Sequence, residues 1–521
     1  MGASDYVTVS NPYSFDLRVR GRVPTDLCGF LVVPTNRRNK DRRYFARWHD
    51  SQTDLVRLDL TPGRPGRVQA NVLEVDPAAT DLGERIGDGR FDPQAQLLSA
   101  GGTYITQPNH GANIAGDTLW ATNLLFGAPL EVDITRWKPV RVLSYLDITP
   151  WTPRISGTSH FAWSFDHRYA YFHLSHLEPG GHGHPVRAVD LTLYELDVST
   201  GTERSWRLVP PPEDDVPEVA NFHSCFYFEE GGRPFVGMLR TGALLETIAP
   251  HDAHVDHTVA PASASAIWIV ELDRSRPSLQ ARLLPGVMEL DSLALSHLDV
   301  DRSRRDGFVL FANFKEADVG EETHGRNIYG EEPEAVAEHY SGMIVEALNY
   351  GLVIRYEWRQ GVADLRTFRR PYDPGRTSLG HSWLPINIQL GPDGKRLFCS
   401  FSGFRPRLLP HHIAVAYPDR VVDHTTIRSV PPLLMRMDAE TLKPDVQGGR
   451  GHLSYAEPMA MVVTGTAAQS YVCTFSPESG LRIYDADNLG KLLCHAESPQ
   501  LMHWKDTHFR PDPAHLAFVP R

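Results

Sequence analysis

Histidine is the residue type in this sequence that most clearly points to chemistry. The chain holds 24 histidines among 521 residues, and a neutral imidazole is the commonest metal ligand in proteins. Four of them, His160, His223, His297 and His508, stand at nearly the same distance after a recurring sequence pattern. This regular placement predicts that they occupy one structural position in successive units of a repeated fold.

The recurring pattern is a run of alternating apolar residues that ends on an acidic residue just before a turn. Its seven copies carry Asp59, Asp133, Asp197, Asp273, Glu357, Asp438 and Asp485. Each acidic side chain is placed to accept N–H groups of a hairpin turn, a structural role. The four histidines follow their acidic residue by 27, 26, 24 and 23 residues, about the length of a return strand and a connection.

Seven irregularly spaced copies of one hairpin favour an all-β fold, a seven-bladed β-propeller. The 41 glycines and 40 prolines fall between short apolar runs, as turns between many strands require. We predict one domain over residues 1–521. An insertion at about 315–350 contains a predicted helix at 331–351, which we expect to cap the axial site.

Each of the four histidines is predicted to open the innermost strand of a blade. Innermost strands line the central channel of a propeller, so four imidazoles would converge there and form a transition-metal site. His381 follows Glu357 by 24 residues and is a competing ligand. His503 and His515 flank His508 and are alternatives to it.

Composition excludes several classes of function. The net charge of −12 disfavours a nucleic-acid partner, which needs a concentrated basic face. No run of about 18 apolar residues and no signal-peptide pattern is present. Five cysteines without a CxxC pair favour a reducing, cytoplasmic location. Motifs for phosphate binding, zinc proteolysis and serine hydrolysis are missing from the sequence.

Several segments, in this order and spacing, resemble the carotenoid cleavage oxygenase family. They are NHGANIAGDTLWA before PLEVD, TSHFAWSFD at His160, NFHSCFYF at His223, LSHLDVD at His297, YAEPM at Glu457 and IYDADNL…THFRPD at His508. The resemblance spans roughly residue 20 to the end. It implies a propeller whose four axial histidines bind ferrous iron, Fe(2+), and it favours His508 as the last ligand.

The resemblance also implies three glutamates that hydrogen-bond the histidines from behind. Only Glu457 has a counterpart here, and His381 is an alternative brace or ligand where another glutamate is expected. Outer partners of this kind orient the metal-bound imidazoles. Because two of the three glutamates have no counterpart here, a different reaction at the same metal stays an open alternative.

The resemblance implies a non-haem iron dioxygenase. Its substrates would be O2 and an apolar alkene, either an apocarotenoid or other isoprenoid, or a stilbenoid or phenylpropenoid, cleaved to carbonyl products. Two alternatives stay open: a metal-dependent isomerase, cyclase or hydrolase that needs no O2, and a non-catalytic binding propeller. Peripheral membrane contact is also implied by lipophilic substrates. The sequence identifies neither substrate-binding residues nor the oligomeric state.

Overall fold

The computed structural model describes residues 7–37, 52–61, 66–77, 111–122, 129–142, 155–179, 186–214, 221–241, 265–290, 292–316, 350–371, 382–404, 433–445, 453–454, 460–476, 479–501 and 515–521. These residues form strands almost throughout, with a 3₁₀ helix at Met288–Leu290. The fold is therefore all-β, as predicted. Most of the predicted cap helix at 331–351 lies outside the described residues, as does most of the insertion at 315–350. The last two residues of the predicted helix, 350 and 351, are strand and not helix.

The first half of the described chain contributes seventeen strands. They are β1 (Val7–Gly21), β2 (Gly29–Arg37), β3 (Gln52–Asp59), β4 (Arg67–Pro77), β5 (Gly111–Ala115), β6 (Thr118–Thr122), β7 (Leu130–Asp133), β8 (Lys138–Val142), β9 (Ile155–Gly157), β10 (Ala162–Trp163), β11 (Tyr169–Pro179), β12 (Val186–Asp197), β13 (Thr202–Val209), β14 (Asn221–Glu230), β15 (Arg233–Thr241), β16 (Ala266–Glu271) and β17 (Ser278–Leu283).

The second half continues the same pattern. Its strands are β18 (Ser292–Val300), β19 (Phe308–Glu316), β20 (Tyr350–Arg359), β21 (Val362–Pro371), β22 (Ser382–Leu390), β23 (Arg396–Phe404), β24 (Leu433–Asp438), β25 (Leu453–Ser454), β26 (Met461–Gly465), β27 (Ser470–Ser476), β28 (Gly480–Asp485), β29 (Asn488–Glu497) and β30 (Ala517–Pro520).

Of the thirty strands that the structure describes, all but β1 and β9 fall into antiparallel units of four. Three units are separate sheets, β5–β8, β18–β21 and β22–β25. Two larger sheets each join two more units: β10–β13 with β14–β17, and β26–β29 with the unit made of β30, β2, β3 and β4. The number of described units thus equals the number of acidic repeats.

The acidic repeats lie at the third strand of each unit, as the periodicity predicts. Asp197 accepts hydrogen bonds from the backbone N–H and hydroxyl of Ser199 at 3.0 and 2.6 Å. Asp273 binds Ser275 in the same way at 2.9 and 2.6 Å. These side chains hold the turn to the fourth strand, which confirms their structural role.

The two ends of the chain join the first and last units. Strand β30 pairs with β2, so the C-terminal strand completes the unit that begins near the N-terminus. Strand β1 pairs with both β4 and β29 and bridges these neighbouring units. Such pairing covers strand edges that would otherwise be exposed.

The apolar core lies between neighbouring units. One cluster packs Trp120 and Leu130 of the β5–β8 unit against Phe161 and Phe172 of the next unit. Another joins Trp206 of β13 to Trp268 of β16. Burial of such large side chains stabilises by about 1.5–3 kcal/mol each. It also fixes the units around the residues at their inner edges.

Candidate metal centre

Four imidazoles meet at the inner edges of the units. One nitrogen each of His160, His223, His297 and His515 lies within 4.8 Å of the others. The Nε2 atoms of His223 and His297 are 3.2 Å apart. Ligands at about 2.1 Å from one metal, at right angles, would stand about 3 Å apart. The spacing therefore suits a mononuclear centre.

Two of these histidines lie at β-bulges. The pairing of β14 with β15 shifts register between Phe222 and Ser224, which brackets His223. The pairing of β18 with β19 shifts between Leu295 and Leu298, which brackets His297. A bulge changes the direction in which one side chain points, and here each bulge stands at a clustered imidazole.

The segment of His160 is attached to the strand of His223. The N–H groups of Ser159 and His160 donate to the carbonyl oxygen of His223 at 2.9 and 3.2 Å. The N–H of Cys225 donates to the carbonyl oxygen of His160 at 2.9 Å. Two of the imidazoles are thus positioned by a single backbone network.

Asparagine side chains hold two of the histidine segments from neighbouring strands. Asn113 Oδ1 accepts the N–H of Phe161 at 2.7 Å, and Asn113 Nδ2 donates to the Ser159 carbonyl at 2.9 Å. Asn313 Oδ1 accepts the N–H of His297 at 3.1 Å. The sequence reasoning missed both residues. A buried asparagine within an apolar strand is a signal that could have found them.

A close backbone approach adds to the attachment of the His160 segment. A Cβ atom on Gly111 would lie 2.2 Å from the Ser159 carbonyl oxygen and 2.1 Å from Thr122 Oγ1. Thr122 Oγ1 itself donates to that carbonyl at 2.7 Å. Only glycine fits at this position, because any side chain would push the His160 segment away.

The fourth imidazole of the cluster belongs to His515, just before β30. Its ring centroid lies 4.3 Å from that of His160 and 4.5 Å from that of His297. His515 is one of the two alternatives to His508 in the sequence analysis. His508 itself lies outside the described residues, and so do His381, His503 and Glu457.

Burial keeps the clustered imidazoles in the form that binds metals. Burial lowers the pKa of His160 to about 4. The pKa of His515 is also well below its ordinary value, first through burial and then through the nearby His160 and His223. A histidine must be neutral to ligate a metal. The donor set of four nitrogens therefore fits a divalent transition metal.

A cavity of about 760 Å³ leads from the cluster to solvent. His160, His297 and His515 line its inner end. Its outer end is formed by hairpins between first and second strands, where His167, Arg302 and Ser303 line it and are exposed. Phe161 and Trp163 form part of the wall, and both are buried.

A further buried histidine packs beside the segments that carry His160 and His223. His173 of β11 is fully buried, and neither ring nitrogen has a hydrogen-bond partner among the described residues. Its backbone pairs with Thr158, and its ring packs edge-on against Phe222 at 4.6 Å. Burial lowers its pKa to about 3. His173 thus packs beside two ligand-bearing segments.

The fold as a whole is similar to that of solved oxygenase structures. Two variants of Synechocystis apocarotenoid oxygenase match with TM-scores of 0.55 and 0.56, at 11% sequence identity, over 98% of this chain and 96% of theirs. A chimera of ACO and RPE65 matches with a TM-score of 0.52 at 12% identity and the same coverage. No protein-family model matches the chain, and no curated protein matches it by sequence.

These similarities establish that the chain has the carotenoid-oxygenase fold. Within the part of the chain that the structure describes, no helix is both long and apolar enough to cross a membrane. All five cysteines are free thiols.

Proposed function

We propose that this protein is a non-haem iron(II) dioxygenase that cleaves an alkene double bond of an apolar substrate. The observation that carries the proposal is the set of four largely buried imidazoles, with donor atoms within 4.8 Å of one another. The carotenoid-oxygenase fold supports it. The proposed substrates are an apocarotenoid, another isoprenoid or a stilbenoid or phenylpropenoid, together with O2.

His160, His223, His297 and His515 are the proposed ligands. Four neutral imidazoles leave the charge of a bound metal uncompensated, and a six-coordinate metal would keep two positions for substrates. Bound ferrous iron would supply the redox chemistry that O2 activation needs. His515 replaces His508 in this proposal because its ring lies within 4.5 Å of two other ligands.

The surrounding residues orient the ligands and add apolar surface beside them. Asn113 and Asn313 bond to the backbone at two of the histidine segments. Phe161 stacks on Phe172 with ring centroids 4.6 Å apart and forms part of the cavity wall. A rigid, partly apolar surround strengthens electrostatic interactions at the metal and limits side reactions.

Labelled dioxygen tests the reaction class. Iron-loaded protein is supplied with an apolar alkene panel under ¹⁸O2, and the carbonyl products are analysed by mass spectrometry. Incorporation of ¹⁸O into product supports the dioxygenase. Turnover without O2 would instead support a metal-dependent isomerase, cyclase or hydrolase.

Metal analysis tests the centre itself. Protein from iron-supplemented cells is expected to hold about one iron per chain. An iron content below about a tenth of an equivalent per chain, with no iron uptake on reconstitution, would instead support a non-catalytic binding propeller. A cytoplasmic location and peripheral contact with membranes stay predictions from the sequence.

A further inference from the structure

A buried arginine stands opposite the β-bulge that carries His223. Strand β14 pairs with β15 so that Phe222 faces Arg240 and Ser224 faces Leu239. His223 is therefore the extra residue of the bulge. The side chain of Arg240 is fully buried, although it carries a positive charge. A charge at this depth needs a partner, and the partner decides what holds the bulge.

The partner of Arg240 is Asp214, which lies in the connection from β13 to β14. Arg240 Nε and Nη2 donate to Asp214 Oδ2 and Oδ1 at 2.6 and 2.7 Å, a bidentate contact with strict geometry. Trp268 of β16 donates its Nε1–H to Asp214 Oδ2 at 2.7 Å. The Asp214 side chain is only 1% exposed. One buried carboxylate thus joins the connection into β14 to strands β15 and β16.

The same residues hold Phe222, the neighbour of His223 in the chain. Trp268 packs edge-on against the Phe222 ring, with centroids 4.9 Å apart. The strand ladder joins Phe222 to Arg240, and the carboxylate of Asp214 joins Arg240 to Trp268. A closed path of contacts therefore leads from Phe222 through the ion pair and back to the same ring.

Stability alone does not account for a buried ion pair. Moving two charges out of water costs about as much as their attraction gains, so replacing such a pair by apolar residues is often neutral. The geometry of the pair is strict, however, because a planar guanidinium meets a carboxylate in one arrangement when both oxygens accept. The pair therefore holds the connection into β14 and the strand opposite the bulge in one relative position.

We propose that Arg240 and Asp214 are positioning residues that direct the imidazole of His223 toward the other three. The bulge keeps its place only while Phe222 and the strand opposite it are fixed, and the ion pair is in contact with both elements. A shift of register by one residue would turn His223 to the other face of the sheet. The inference rests on the proposed function, since it deepens the role of one proposed ligand.

The double variant Asp214→Asn/Arg240→Met tests the pair without leaving one buried charge unpaired. The amide oxygen at position 214 can still accept the Trp268 N–H, while the bidentate contact is lost. The matched control is Asp445→Asn/Arg436→Met. Arg436 is likewise a buried arginine of a strand and donates to Asp445, but its strand β24 carries none of the four clustered histidines.

Three measurements compare the variants with the parent protein. Absorption titration gives the affinity for Co²⁺, urea unfolding of metal-free protein gives the stability, and hydrogen exchange of metal-free protein gives the local opening of each strand. We expect Asp214→Asn/Arg240→Met to weaken Co²⁺ binding by about 10-fold or more. Exchange should become faster in β14, which carries His223, and stay unchanged in β18, which carries His297. The control should keep the Co²⁺ affinity and the exchange rates of both strands.

An unchanged Co²⁺ affinity, an equal loss of affinity in the control, or an equal rise of exchange in β14 and β18 would overturn the positioning role. If the double variant does not fold, Arg240→Lys keeps the charge without the bidentate contact and is compared with Arg436→Lys by the same measurements. Failure of the parent protein to bind Co²⁺ or iron would count against the proposed function. The exchange rates of metal-free protein would then still decide whether the pair holds the His223 segment.

Discussion

The side chain of Asn113 fixes the backbone at Phe161, the residue next to His160. Its Oδ1 accepts the N–H of Phe161 at 2.7 Å, while its Nδ2 donates to the Ser159 and Trp120 carbonyls at 2.9 and 3.2 Å. One buried amide therefore connects β5 to both sides of His160. Asn313 accepts the N–H of His297 in a similar way. The positions of His160 and His297 therefore depend on two asparagines that are not themselves members of the histidine cluster.

Replacing Asn113 with alanine should weaken both stability and metal binding. Asn113→Ala leaves the buried Phe161 N–H without its acceptor, which costs about 1–3 kcal/mol. A lost outer partner lowers metal affinity by about 10–100-fold. Urea unfolding and competitive metal titration measure the two effects. Asn488→Ala is the control, because exposed Asn488 bonds only a turn N–H, and equal losses in both variants would refute the role.

His515→Ala should reduce metal binding more than His508→Ala does. Removal of one of four ligands should lower affinity by more than the 10–100-fold expected for an outer partner. Iron content after gel filtration and a metal-induced shift in melting temperature are the measurements. Retention of metal by His515→Ala together with its loss in His508→Ala would reverse the assignment of the fourth ligand.

Replacing His173 should reduce the sensitivity of metal-free protein to acid. Its folded-state pKa of about 3 lies below the ordinary value of 6.5, so the unfolded state takes up a proton first as pH falls. Stability is therefore lost as pH falls below 6.5 and levels off near 3. Between pH 7 and 5 this single group accounts for about 2 kcal/mol. Urea unfolding at the two pH values measures the effect. The loss of unfolding free energy between pH 7 and pH 5 should be smaller in His173→Leu by that amount, and an equal loss in both proteins would contradict the prediction.

Gly111→Ala should displace the His160 segment. The added Cβ would lie 2.2 Å from the Ser159 carbonyl oxygen, and overpacking of this kind costs about 1–3 kcal/mol. Metal affinity should fall as well, since His160 follows Ser159 directly. The second variant Gly111→Ala/Thr122→Ala removes the side-chain clash and keeps the backbone one. Recovery of stability and metal affinity in the double variant would show that Ser159 is not the obstacle.

Much of the fold is determined by local chemistry that is visible in the sequence. Apolar alternation that ends on Asp197 or Asp273 predicts a strand followed by a turn, because the carboxylate binds the nearby turn N–H groups. Seven copies of that pattern, although irregularly spaced, predict a radial all-β fold. His160, His223 and His297 could be predicted because each stands at a fixed distance from its hairpin.

Only the tertiary structure places His515 in the cluster. His508 agrees with the hairpin spacing, but strand β30 ends the chain by pairing with β2, and this long-range pairing brings His515 beside His160. The contacts of Asn113 and Gly111 with Ser159 also join residues nearly fifty positions apart. The sequence by itself determined the repeating strands and most of the imidazoles. The pairing of β30 with β2 decided which histidine completes the cluster. This pairing joins strands that are distant in sequence, so local periodicity does not predict it.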